Sequence, residues 1–323
     1  LDLGVNQLTG VIPSFIKNLS SLTRLWVDTN HLEGQVPQEI CLLKNLTWIA
    51  LGVNNLTGTL PSCLYNLSSL TGIIAPVNQF HGSLPPNMFH ILPNLQHFQI
   101  GGNQISGRIP PSITNASILS EIDITENYFT GQVPSLGKLQ DLQRLSLSWN
   151  NLGENSTTDM EFLKSLPNCS KLTLLSIAFN NFGGHLPNSL GNLSTQLSQL
   201  YLGYNQMLGK IPSEIGNLVN LFVLSILYNH FEGIIPSAFG KLQKMQALEL
   251  SGNKLSGDIP TSIGNVSRLF YLGLGENMLE GNIPPSIGTC KKLQYLNLSH
   301  NKLRGAIPLE IFNLSSLTDA LAV

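Results

Sequence analysis

The chain has 323 residues, of which 42% are hydrophobic and only 11% charged, with a net charge of −2. Globular proteins usually carry about 25% charged residues, so uncharged polar side chains must cover this surface, and no Lys/Arg cluster along the sequence offers the basic footprint a nucleic acid needs. No apolar run reaches the roughly 18 residues of a membrane span, and no basic segment followed by an apolar one opens the chain as a secretory signal would.

The chain opens on Leu1-Asp2-Leu3, a strand pattern that runs into Asn6. Asn then recurs to Asn301 in thirteen occurrences, with steps of 24 residues in eight cases and 25, 23, 30 and 25 in the others. Each closes a segment of the type LxxLxLxxN, and twelve of them are followed by G-x-[IVL]-P, which is missing only after Asn150. A fixed period of this size denotes a stacked repeat in which each coil buries its apolar face against its neighbours. The expected domain organisation is one array over residues 1–323 with about 13 coils, uncapped at both ends and therefore a fragment. Leu317, Leu321 and Val323 look like the opening of a further strand.

The coil around Asn253 illustrates the expected build. Leu248 and Leu250 alternate with Ala247, Glu249 and Ser251, the period of a half-buried strand, and stacked coils would set such strands about 4.8 Å apart in a parallel sheet. The Asn253 amide turns inward to satisfy backbone groups of the turn. Gly257 permits a sharp bend, Pro260 holds Ile259 extended, and Ser262–Asn265 returns along the outer side as a short helical turn. The fold class is thus an α/β repeat solenoid, with the sheet on a concave face and short helical turns on the convex one.

These motifs resemble the plant-specific class of extracellular leucine-rich repeats found in receptor-like kinases and receptor-like proteins. The coil over 150–180, where NNLGENSTTDMEFLKSLPNCSKL replaces the GxIP element, is similar to that of the receptor-kinase subgroup that includes the rice receptor for Xanthomonas and the receptor for bacterial elongation factor Tu. The resemblance implies a cell-surface protein whose ectodomain binds a ligand and pairs with a co-receptor ectodomain, with a membrane helix and a Ser/Thr kinase outside this chain. The glycine-rich loop, VAIK, HRD and DFG signatures of a kinase are all absent from the sequence.

Sequons occur at Asn18, Asn45, Asn55, Asn66, Asn115, Asn155, Asn168, Asn192, Asn265, Asn297 and Asn313. The motif NLS satisfies the fold and also makes acceptor sites on a secreted protein. Asn297 stands apart because it falls on the inner strand, where a glycan would block the concave face. Cys169 and Cys290 take a position that other coils fill with Leu (Leu19, Leu43), so they read as buried free thiols. Cys41 and Cys63 lie on the outer side of adjacent coils, where either a disulfide or two thiols fits the spacing. No Cys/His spacing suggests a metal, and no cofactor is expected.

Strand alternation also ranks the surface. With the ladder Asn as n, positions n−6, n−4, n−2 and n−1 face the concave side or its edge. They number 48 over twelve coils, yet they hold all three Trp and five of seven Tyr, against one of thirteen Phe. Phe favours a dry core, whereas Tyr and Trp suit a face that is wet until a partner arrives. The expected ligand-binding residues are Trp26, Trp48, His97, Glu121, Asp123, Trp149, Tyr201, Tyr204, Tyr228, Tyr271 and Tyr295, with the tyrosines forming the best segment. Glu121, Asp123 and Glu126 form an acidic patch near Arg144, read chiefly as a solvated face. Gly273-Leu274-Gly275 begins a GxGxxG motif, but Met278 takes the third glycine position and no βαβ context exists. The expected function is extracellular recognition of a peptide or protein, with a role in pathogen perception and no catalysis in this chain. A secreted inhibitor of a wall-degrading enzyme and a kinase-less receptor-like protein are the alternatives.

Overall fold

A computed structural model describes residues 1–318; Leu321 and Val323 lie outside the described residues. The chain divides into two compact units, Leu1–Leu152 and Gly153–Val323, with the boundary at the start of the irregular coil. In the first unit the strands Arg24–Trp26, Trp48–Ala50, Gly72–Ile74, His97–Gln99, Glu121–Asp123 and Arg144–Ser146 pair in parallel and in register, one per coil. In the second, Leu174–Ser176, Gln199–Tyr201, Val223–Ser225, Ala247–Glu249, Tyr271–Gly273 and Tyr295–Asn297 do the same. Each strand but Tyr295–Asn297, whose Leu296 is half-buried, sends its central Leu, Ile or Phe into the core, as Leu248 (1% exposed) and Leu272 (0%) show. Burying such a side chain stabilises the fold by about 1.5–3 kcal/mol.

Most helical turns start at the Pro of a GxIP element, although none follows Pro134. Pro212 has φ −63° and ψ 131° and starts the 3-10 turn Ser213–Asn217; Pro260 likewise starts Thr261–Asn265. Proline fixes its own φ near the value a helix start tolerates. Among the described residues the helical elements are 3-10 turns.

A second parallel sheet was not expected from the sequence. The stretch between ladder Asn and GxIP, read there only as a bend, forms strands such as His31–Gln35 and Asn55–Gly58 in the first unit, and Leu208–Lys210, His230–Gly233 and Lys254–Asp258 in the second. Its apolar signal is a single residue per coil, for example Phe231 or Leu255, both fully buried. That is too short an alternation to read as a strand.

A typical inner rung of the Asn ladder makes four bonds. Asn229 Nδ2 donates to the carbonyls of Ile226, Leu227 and, one coil back, Leu202, at 3.1–3.2 Å. Its Oδ1 accepts the Met207 N–H at 3.0 Å. The residue before each ladder Asn has positive φ, including bulky ones such as Trp149 (56°), Tyr204 (54°) and Tyr228 (47°). This left-handed conformation is costly for bulky side chains, and bonds between coils hold it: Tyr204 N donates to Leu227 O at 2.8 Å and Tyr228 N to Ser251 O at 2.9 Å.

In the irregular coil the second strand is only Asn151–Leu152, and a buried carboxylate organises the segment after it. Asp159, 2% exposed, accepts from Glu154 N, Ser156 N and Ser156 Oγ at 3.0–3.2 Å. It also accepts from Gly183 N of the following coil at 2.9 Å. The eight-residue turn Glu161–Asn168 follows, with Phe162 against Phe182 at 5.9 Å between ring centroids.

Candidate functional site: the aromatic face of the strand row

In the unit Leu1–Leu152, Trp48 lies flat over Gly72, where an added Cβ would meet the indole. Its other neighbour is His97, 5.3 Å away between ring centroids. His97 Nδ1 approaches Glu121 Oε2 at 3.4 Å, and Arg144 Nε donates to Glu121 Oε1 at 3.0 Å. Asp123 Oδ1 accepts the Thr125 N–H at 3.0 Å. The acidic patch therefore offers no free carboxylate at Glu121; because the pair is partly exposed, it contributes little to stability. Trp26 is half-buried, and Trp149 is 55% exposed.

The unit Gly153–Val323 gathers its aromatics into two stacks. Phe179 and Tyr204 stack at 4.0 Å with planes 15° apart, and Tyr228 follows Tyr204 at 4.8 Å. Tyr271 and Tyr295 stack at 4.2 Å with planes 3° apart. Tyr201 belongs to neither stack, and its Oη donates to Gln199 Oε1 at 3.2 Å. Strand spacing of about 4.8 Å is close to ring-stacking distance, so like residues in adjacent coils stack wherever register aligns them.

Tyr228 extends over Gly252 and donates from Oη to Glu276 Oε1 at 3.1 Å. That bond, then burial, raises its phenol above the ordinary range. Burial, then a hydrogen bond to Glu249, raises Tyr271 further still, and burial raises Tyr201. All three phenols are neutral donors at physiological pH. An open groove of about 610 Å³ runs beside the first stack, lined by Tyr204, Gln206, Tyr228, His230, Lys254 and Glu276 among others. His230 Nε2 meets Gln206 Oε1 there at 2.9 Å.

Phe179, Glu249, Glu276 and Gly252 complete this face; the sequence places Phe179 there as the one such Phe, but none of the four is among the expected ligand-binding residues. The available signal was position: Phe179, Gly252 and Glu276 all fall at n−1. Exposure of Phe15 (73%) and Phe312 (72%) on outer turns departs from the rule that Phe seeks a dry core.

Ten of the eleven sequon asparagines are exposed, and Asn297 is half-buried. Asn297 Oδ1 accepts from Ser299 N and Oγ at 3.0 and 2.7 Å. Cys41 and Cys63 are joined in a disulfide with Cα atoms 5.7 Å apart. Cys169 and Cys290 lie outside the disulfide and are fully buried, and burial pushes the Cys169 thiol up to about 11. Among the described residues no three His, Cys, Asp or Glu gather to hold a metal ion, and no helix is long and apolar enough to cross a membrane.

Comparison with known proteins places this geometry. Two family models, both described as leucine rich repeat, match residues 219–279 and residues 94–116, 171–193, 196–218 and 292–314. The LRR receptor-like serine/threonine-protein kinase EFR of Arabidopsis thaliana is 41% identical over 89 residues, 28% of this chain and 9% of that protein. Receptor kinase-like protein Xa21 of Oryza sativa subsp. japonica is 49% identical over 67 residues, 20% of this chain and 6% of that protein. The structure of the Arabidopsis receptor kinase HAESA, solved with the peptide hormone IDA and the co-receptor SERK1, superposes with a TM-score of 0.79 at 31% identity. That likeness covers 96% of this chain and 55% of the other. The matched stretches thus span less than a tenth of either curated relative. With its parallel strand rows, its Asn ladder and these matches, the chain is a leucine-rich repeat protein, built as the ectodomains of plant leucine-rich repeat receptor kinases are built.

Proposed function

We propose that this chain is the extracellular recognition region of a plant receptor kinase and that it captures an extended peptide along the strand face of residues 153–318. The observation that carries the reading is the pair of aromatic stacks, Phe179/Tyr204/Tyr228 in the turns that close the strands and Tyr271/Tyr295 on the strands, with an open groove beside the first. An open strand face suits an extended ligand better than a compact small molecule, which favours an enclosed cavity. Stacked rings lose little conformational freedom when a ligand arrives, so contact area converts efficiently into affinity. Ser225 and Gln199, in the same strand row, add hydrogen-bonding groups for a peptide backbone.

Ligand capture would favour pairing with a co-receptor ectodomain, as the HAESA complex with IDA and SERK1 suggests by likeness. A kinase outside this chain would then carry the signal. A role in pathogen perception is part of the proposal and rests on the resemblance of the irregular coil to the receptor-kinase subgroup that includes the rice receptor for Xanthomonas. The test is a library of secreted and microbial peptides carrying a photoreactive residue, applied to the full glycosylated chain. The reading expects crosslinks to fall at Tyr204, Tyr228, Tyr271 or Tyr295; crosslinks confined to the outer 3-10 turns would contradict it.

A further inference from the structure

No Lys/Arg run exists in the sequence, yet stacking gathers cations that lie far apart along the chain. The carbonyl of Phe222 accepts from Gln246 N, that of Gln246 from Phe270 N, and that of Phe270 from Gln294 N, at 2.8–2.9 Å. This ladder puts Lys244, Arg268 and Lys292, each two residues earlier, in one row on the edge where the strands begin. Lys241 and Lys291 flank the row. Residues 241–246, 265–270 and 289–294 thus hold five of the chain's 17 Lys and Arg and no Asp or Glu. All five are exposed, and none forms an ion pair among the described residues. Lys244 Nζ donates to the neutral Asn220 Oδ1 at 2.6 Å. Glu249, on the strand that follows, already accepts from Ser251 N at 2.9 Å.

Between these cations lies an open groove of about 590 Å³, lined by Gln246, Arg268, Phe270, Lys292, Gln294 and Ser316. It combines two free cations, two amides, a hydroxyl and the partly exposed Phe270 ring (39%). The other large apolar residues of the three segments, Leu242, Met245, Val266, Leu269 and Leu293, are at most 2% exposed. A protein interface needs a dry apolar centre with several anchors, and this flank has one ring.

We propose that this flank binds a linear acidic polysaccharide. Cations one coil apart, about 4.8 Å along the sheet, meet regularly spaced carboxylates, and the guanidinium of Arg268 can hold one by two hydrogen bonds. Gln246 and Gln294 serve sugar hydroxyls, and Phe270 offers its face to a sugar ring. The inference goes beyond the peptide reading and stands apart from it, because neither aromatic stack contributes to the groove.

The test uses the full chain and three immobilised polymers: polygalacturonate, its fully methyl-esterified form, and poly-glutamate. Polygalacturonate should retain the protein at low salt and release it as NaCl approaches about 0.5 M, where screening is nearly complete at these distances. A variant carrying K244Q, R268Q and K292Q should bind about tenfold more weakly with unchanged thermal unfolding. An N265Q variant, which removes the sequon on the same flank, should bind at least as well as the parent. Equal retention by the esterified polymer, unchanged binding of the triple variant, or no retention by polygalacturonate would overturn the proposal. Retention by poly-glutamate alone would overturn it in favour of an acidic protein partner. None of these outcomes bears on Tyr204 or Tyr228.

Discussion

Tyr228 bonds Glu276 across two coils, Oη to Oε1 at 3.1 Å, and does so by lying over Gly252 in the coil between them. The glycine is required by the ring above it: its φ of +69° is one that Tyr204 and Tyr228 also adopt, but an added Cβ would sit 2.9 Å from Tyr228 Cγ. Gly252→Ala should therefore destabilise the protein by about 1–2 kcal/mol and displace the ring. Losing the Glu276 bond, the Tyr228 phenol should return toward its ordinary titration range. Ultraviolet titration of the variant beside Glu276→Gln checks this; if the phenol titrates as in the parent in both, the bond does not form in solution.

Alkaline pH should weaken the fold through Tyr271. Its pKa is raised by burial and then by Glu249, so the folded state holds a proton that the unfolded chain loses near pH 10. The associated stability is complete below about pH 10 and falls as pH rises above it. Urea midpoints measured at about pH 8 and about pH 10.5 should fall less for Tyr271→Phe than for the parent. Equal losses would show that Tyr271 carries no such linkage.

Asn229→Ala removes an acceptor from Met207 N and a donor from three carbonyls at once. Because Asn229 is only 5% exposed, the orphaned groups stay buried, and the expected loss is about 2–3 kcal/mol. Chemical denaturation of Asn229→Ala against the exposed Asn217→Ala separates a ladder effect from a general one. Similar midpoints for the two variants would contradict a structural ladder.

The Cys41–Cys63 bridge spans a sequence separation of 22. Closing a loop of that size restricts the unfolded chain by about 3 kcal/mol on the chain-entropy model. Cys63→Ser should lower stability by that order, and non-reducing peptide mapping of the parent should recover the linked pair. Free thiols at both positions would contradict the bridge.

The ladder Asn made the first sheet, the helical turns and the buried Leu positions legible, because each rests on a strict side-chain type at a fixed offset. The second sheet was illegible because only one residue per coil, such as Phe231, marks it. Asp159 was illegible for a different reason. A single carboxylate clamping Gly183 has no spacing that distinguishes it from a surface Asp. At the candidate site, sequence reached the rows but not the reach of the side chains. Trp48 over Gly72 and Tyr228 over Gly252 depend on a glycine one coil away. The Glu121 pairs with Arg144 and His97 likewise depend on stacking.

The central claim is that the aromatic face of residues 153–318 holds a peptide. Its most direct test is the affinity of a crosslinked peptide for the full chain, compared by titration calorimetry with the Y204A/Y228A double variant. Removing two stacked anchors should weaken binding by more than about tenfold, while the heat-unfolding midpoint stays within a few degrees of the parent's. Unchanged affinity in a folded double variant would contradict the account.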